Sequence, residues 1–143
     1  MTEDKLQQRV QDNLKQGEEF LDFLADEIQR SSQIKVGLFN LFSPALREEQ
    51  QRYKDFQKKQ AIWTKENFVL RRELLFAENS GIEQRDSLLS LLESEANTVE
   101  GLFDSWEDTV EGHQTAQTNA LKVTIPLVAV IISLLSFIIA LLK

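Results

Sequence analysis

Residues 123–142 read VTIPLVAVIISLLSFIIALL, twenty positions without a charge. At about 1.5 Å per residue such a helix is roughly 30 Å long, the thickness of a bilayer's hydrocarbon core. Fourteen of the twenty are Val, Ile, Leu or Phe. At about −0.3 to −0.6 kcal/mol each, their insertion into lipid is favourable by roughly 4–8 kcal/mol before polar terms. Thr124, Ser133 and Ser136 subtract little, because a hydroxyl can bond back to its own helix. Pro126 falls in the first turn of the stretch, where a missing N–H is least harmful. A core helix of a water-soluble fold keeps a polar face, and this stretch has none. The expectation is a transmembrane anchor at 123–142. Only Lys143 follows it, so insertion is expected after synthesis, as in tail-anchored proteins, with residues 1–122 on the cytosolic side.

Outward from the anchor, the same three-and-four spacing of apolar positions continues back towards the N-terminus. Leu92, Val99, Phe103, Trp106 and Val110 lie on it, with Ile82 and Arg85 at its start and His113 and Gln117 near the bilayer. No Pro, and no Gly- or Ser-rich linker, separates this row from the span. One continuous helix of about 60 residues is therefore predicted, a stalk at 82–122 running into the anchor, with Gly112 the weakest point.

Asn79-Ser80-Gly81 is a turn signal,. Before it, residues 44–78 open with Ser43-Pro44, an N-cap followed by a first-turn proline,. Leu46, Glu49, Tyr53, Phe56, Gln60, Trp63, Asn67, Leu70, Leu74 and Ala77 alternate at spacings of three and four. Ile62, Val69 and Phe76 form a second row, and so wide a stripe predicts more than one neighbouring helix. Residues 1–32 form a third amphipathic helix, with Leu6, Val10, Leu14, Leu21, Leu24 and Ile28 as its stripe and Gly17 in its gap,. The predicted fold is all-α: an elongated antiparallel helical hairpin, or three-helix bundle, continuing into one C-terminal transmembrane helix.

Charge is segregated along the chain. Residues 1–46 carry net −3, residues 47–72 net +4 and residues 73–121 net −10. Folding the hairpin lays the basic helix against the acidic one, and that pairing is the expected use of the charge. A net charge of −7 argues against a nucleic-acid partner.

The hairpin also sets depth. Counted back from the turn, Pro44 stands level with about residue 117, roughly 9 Å short of the span. This brings the apolar segment 33–43, QIKVGLFNLFS, to the membrane surface. Ile34, Leu38, Phe39, Leu41, Phe42 and the juxtamembrane Lys122 are the candidate interfacial residues. The other reading of the segment is a cap beneath the bundle core or a subunit interface. Within the anchor, Ala129, Ser133, Ser136 and Ala140 recur at spacings of four, three and four, the small-residue pattern through which helices self-associate in lipid.

The chain has no Cys and a single His, His113, which removes thiol chemistry and any multi-histidine metal centre. No phosphate loop, nucleophile elbow, zincin or calcium-loop pattern occurs. Neither an enzyme, a cofactor, a metal nor a small-molecule substrate is expected. The expected partners are membrane lipid, further copies of the chain and subunits of a larger membrane complex. The leading expectation is a self-associating scaffold or complex subunit; the alternative is an oligomeric, pore-forming or membrane-perturbing effector. A third arrangement rests on likeness. A continuous seam leading into an anchor, with Arg85 about 38 residues upstream of the membrane, is similar to the layout of SNARE fusion proteins, over that helix alone and without their basic juxtamembrane cluster.

Overall fold

The computed structural model describes residues 3–38, 40–77 and 84–141. It contains three helices, α1 (Glu3–Ser32), α2 (Pro44–Phe76) and α3 (Arg85–Leu141), and no strand among the described residues. The fold is all-α, as the periodicity predicts. The N-terminal part of α3 packs with α1 and α2 as a three-helix bundle, and its C-terminal part is long and apolar enough to cross a membrane.

Local chemistry sets the boundaries of α2. Ser43 has extended backbone angles and its hydroxyl accepts from the Leu46 N–H, while Pro44 occupies the first turn. At the other end the Ala77 N–H donates to the Glu73 and Leu74 carbonyls. α1 ends where the N–H groups of Gln33 and Ile34 donate to Arg30 O and Ser31 O, satisfying carbonyls that a helix end leaves free.

The core has two apolar clusters. The distal one, remote from the apolar end of α3, joins Leu6 and Val10 to Leu70, Leu74 and Leu92. The larger one joins Phe20 and Leu24 of α1, Phe56 and Trp63 of α2, and Val99, Phe103, Trp106 and Val110 of α3. Its rings interlock: Phe23 stacks on Phe56 at 5.0 Å, Tyr53 stacks on Phe103 at 5.5 Å, and Phe20 meets Phe56 edge-on at 5.0 Å. Aromatic pairs in these geometries add about 0.5–1.5 kcal/mol beyond area burial.

The buried face of α1 differs from the predicted stripe. It runs Leu6, Val10, Asn13, Gly17, Phe20, Leu24, Glu27 and Ser31, an unbroken alternation of four and three. Leu14, Leu21 and Ile28 lie half-buried on its flank. A search for apolar residues alone passes over this row because three of its eight members are polar. Each of those three is satisfied. Asn13 takes a hydrogen bond from Asn67, and its carbonyl takes one from the Trp63 indole. Asn67 also donates to Leu92 O. Glu27 pairs with Arg30 and Arg52 at 2.9 and 2.8 Å, and Ser31 accepts from the Trp106 indole. Such pairings offset the desolvation of buried polar groups and fix which residues can stand level.

α3 begins at Arg85 and runs 57 residues without interruption. It does not break at Gly112, which is exposed and still helical. The predicted start at Ile82 and the turn at 79–81 lie outside the described residues.

Candidate functional site

The features that bear on function lie at two heights, the end of the bundle beside the apolar part of α3 and the outer face of distal α2. At the first, the loop 33–43 is irregular, tied by Asn40 N→Gly37 O and Ser43 N→Asn40 O. Its height follows from two contacts. Gln117 donates its side-chain amide to Leu41 O, and His113 Nδ1 lies 2.9 Å from Glu49 Oε2. The loop therefore sits about six residues, roughly 9 Å, before the apolar run at 123.

The candidate interfacial residues divide. Phe42 is 78% exposed and Leu38 is exposed, Ile34 and Val36 are half-buried, and Lys122 is exposed. Leu41 does not face outward: it is buried, with its carbonyl held by Gln117. Its side chain closes the bottom of the bundle, so the interfacial set loses one member to the core. Phe39 lies outside the described residues.

Above the loop, Glu49 is completely buried. One carboxylate oxygen meets His113 and the other, Oε1, has no hydrogen-bond partner. Tyr53, one turn along, donates its hydroxyl to Glu107, and burial followed by that carboxylate pushes the phenol's pKa upward. Among the described residues no cluster of three or more His, Asp or Glu side chains could hold a metal ion.

In the apolar part of α3, Ala129, Ser133, Ser136 and Ala140 share one face, and none of the described residues lies against it. The Ser133 hydroxyl donates back to Ala129 O and that of Thr124 to Ala120 O, so these hydroxyls are satisfied within their own helix. Leu92, Val99, Phe103, Trp106 and Val110 are all buried in the bundle. Arg85 stands at the first residue of α3, paired with Asp86 at 3.1 Å.

The charge pairing expected across the hairpin is mostly absent. Among the described residues the ion pairs between α2 and α3 are Arg71–Glu93 at 3.0 Å and, when the imidazole is protonated, Glu49–His113 at 2.9 Å. The other interhelical pairs tie α1 to α2: Arg9 to Glu66 and Glu73, and Arg52 to Glu27. Lys54, Lys58, Lys59, Lys65 and Arg72 are exposed. So is much of the second apolar row. Ile62 is 72% and Phe76 81% exposed, while Val69 is half-buried. α2 has the two neighbouring helices that the wide stripe predicts, α1 and α3, yet neither covers Ile62 or Phe76. Phe68 and Leu75, absent from that row, are exposed beside it.

One further group is unusual. Gly17 on α1 leaves room for the Glu95 side chain of α3: a Cβ at position 17 would stand 2.4 Å from Glu95 Cδ. Glu95 Oε2 is buried without a hydrogen-bond partner. Burial, then the nearby Glu18, raises this carboxyl to about 7.

No protein-family model, no curated protein and no solved structure matches this chain.

Proposed function

We propose that this chain is a membrane-anchored, self-associating scaffold. In this reading residues 123–142 lie in lipid, the bundle stands on the cytosolic side, and the protein works by binding and assembly. The observation that carries it is the bare apolar end of α3. The helix that supplies Val99, Trp106 and Val110 to the core continues, without a bend-inducing loop, into a stretch that no other described part of the chain covers. Left in water, that surface would oppose solubility far more than the marginal stability of a small domain tolerates. The small-residue face at Ala129, Ser133, Ser136 and Ala140 supports close approach of neighbouring anchors. Exposed Phe42 and Leu38, at the foot of the bundle, support a shallow second contact with the headgroups,.

Vesicle flotation tests the anchor. The full chain is expected to float and to resist alkaline extraction, and a chain ending at Lys122 is expected to stay in the soluble fraction. Equal flotation of both would defeat the reading. Protease protection of the bundle inside sealed cytosol-out vesicles would defeat the assigned side. Mass measurement in detergent is expected to give a multiple of the 16.5 kDa chain.

A further inference from the structure

Both sides of the distal half of α2 are apolar. One side fills the core through Trp63, Leu70 and Leu74. The opposite side carries Ile62, Phe68 and Phe76, all more than half exposed. Down the middle of that outer side runs a line of cations at seven-residue intervals, Lys58, Lys65 and Arg72. None of the three has an ion-pair partner among the described residues. Soluble surfaces seldom group so many exposed large apolar side chains unless something covers them.

The bilayer that would hold the anchor is out of reach. Ile62 lies eighteen residues along α2 from Pro44, about 27 Å farther from the span. A second α2 is disfavoured because it would bring the two cation lines together. We infer that the outer face of α2 receives the acidic flank of α3 from a second copy of this chain.

Three observations select that occupant. The first is height. Within one chain Asn67 lies beside Leu92, Glu49 beside His113 and Leu41 beside Gln117. Lys58, Lys65 and Arg72 therefore stand level with about residues 102, 95 and 88 of α3. Copies anchored in one bilayer share these heights. The second is charge. α3 carries Glu100, Glu93 and Asp86 at the same seven-residue interval, all exposed, although Glu93 also meets Arg71 and Asp86 meets Arg85 of its own chain. Each is offset from its cation by the same two residues, about 3 Å, within the reach of a lysine or arginine side chain. The third is shape. The α3 surface beside this line is built from small side chains, Ser90, Ser94 and Gly101, all exposed. A Cβ at Gly101 would meet no described atom within 4 Å, so packing among the described residues does not require the glycine, which costs about 1 kcal/mol of helix stability against alanine. Large side chains at 62, 68 and 76 of a neighbour fit against such a surface.

The contact is heterologous: each copy offers α2 to one neighbour and α3 to the other, so it builds a ring or a row and gathers the spans side by side. It rests on the self-association reading above and gives that reading its surface.

The absence of cysteine permits a clean test. Full-length chains carrying Lys58→Cys are mixed in liposomes with chains carrying Glu100→Cys and oxidised mildly. A disulfide between the two species is expected, at least tenfold above that in either species alone. Charge reversal gives a second measurement: Lys58→Glu is expected to shift the assembly midpoint at least tenfold in concentration, and adding Glu100→Lys to recover most of it. Particles that remain oligomeric by mass but show no mixed disulfide, or link Lys58→Cys to itself equally well, overturn this surface and leave self-association standing. A wild-type chain that is monomeric at every concentration overturns both.

Discussion

Glu95 makes stability fall as pH rises, the reverse of the usual carboxylate effect. The side chain lies over Gly17, one oxygen is buried without a partner, and its pKa is raised from 4.5 to about 7 by burial and by Glu18. A raised carboxyl pKa means the folded state holds the proton more tightly than the unfolded chain does. Below pH 4.5 both states are protonated and the fold keeps its full stability. As pH climbs from 4.5 towards 7 the unfolded state releases the proton first, and folding loses free energy until the folded carboxyl also ionises. One pKa unit is about 1.4 kcal/mol, so the ceiling is near 3 kcal/mol; partial access to solvent reduces the expected loss to about 1–2 kcal/mol. Glu95→Gln removes the charge at nearly constant shape. In detergent micelles, urea unfolding followed by the fluorescence of the buried Trp63 and Trp106 is expected to show the variant ahead by about 1–2 kcal/mol at pH 8 and nearly level with wild type at pH 5. Gly17→Ala is expected to erase the same pH dependence by displacing the carboxyl into water, while alanine adds about 1 kcal/mol to the helix. A wild-type-to-Glu95→Gln difference that stays flat from pH 5 to 8 would refute the assignment.

Other expectations follow from the same contacts. His113→Ala strands a fully buried Glu49 with neither oxygen satisfied, and is expected to lower unfolding free energy by about 3 kcal/mol; a loss below 1 kcal/mol would show that water or a rotated side chain reaches the carboxylate. Trp106→Ala empties the centre of the larger cluster and removes the bond to Ser31, for an expected loss of about 3–5 kcal/mol by chemical denaturation. A polarity-sensitive dye on Phe42→Cys is expected to shift to the blue when the protein enters vesicles, whereas the dye on Phe68→Cys, far from the span, is not; equal emission at both sites would remove the loop from the bilayer. Vesicles containing the full chain are expected to hold a potassium gradient as long as empty ones, and a rapid leak would favour the pore-forming alternative over the scaffold.

Much of the architecture is legible in the sequence because one period persists from residue 44 to residue 141. Apart from the half-buried Tyr53, Gln60 and Ala96, the α2 row from Leu46 to Leu74 and the α3 row from Leu92 to Val110 are buried where their spacing places them, and Ser43-Pro44 marks the start of α2 in the sequence and in the structure. α1 resists that reading. Its buried row includes Asn13, Glu27 and Ser31, whose partners Asn67, Arg52 and Trp106 come from other helices; a pattern of apolar residues cannot register a polar side chain satisfied from 25 to 75 positions away. Leu41 is misplaced for a related reason. Its loop carries six large apolar side chains among eleven residues, and only the Gln117 amide and the floor of the core distinguish the one leucine that turns inward from the Phe42 that turns out.

The charges expose the limit of reading a fold as a closed object. Segregation of +4 on residues 47–72 from −10 on residues 73–121 points to pairing inside the hairpin, yet α2 turns most of its cations away from α3 and gives Trp63, Asn67 and Leu70 to the contact instead. Burial wins because apolar and hydrogen-bonded packing in the seam stabilises more than exposed ion pairs, each worth under about 1 kcal/mol. Free of that duty, the cations remain beside Ile62, Phe68 and Phe76 on a surface that no other described part of the chain covers. A strip that combines uncovered apolar area with regularly spaced charge stabilises little while the chain is alone. It becomes useful when a helix of opposite charge and small side chains stands at the same height, and in the assembly proposed above membrane-anchored copies of α3 would supply one at no cost in searching three dimensions.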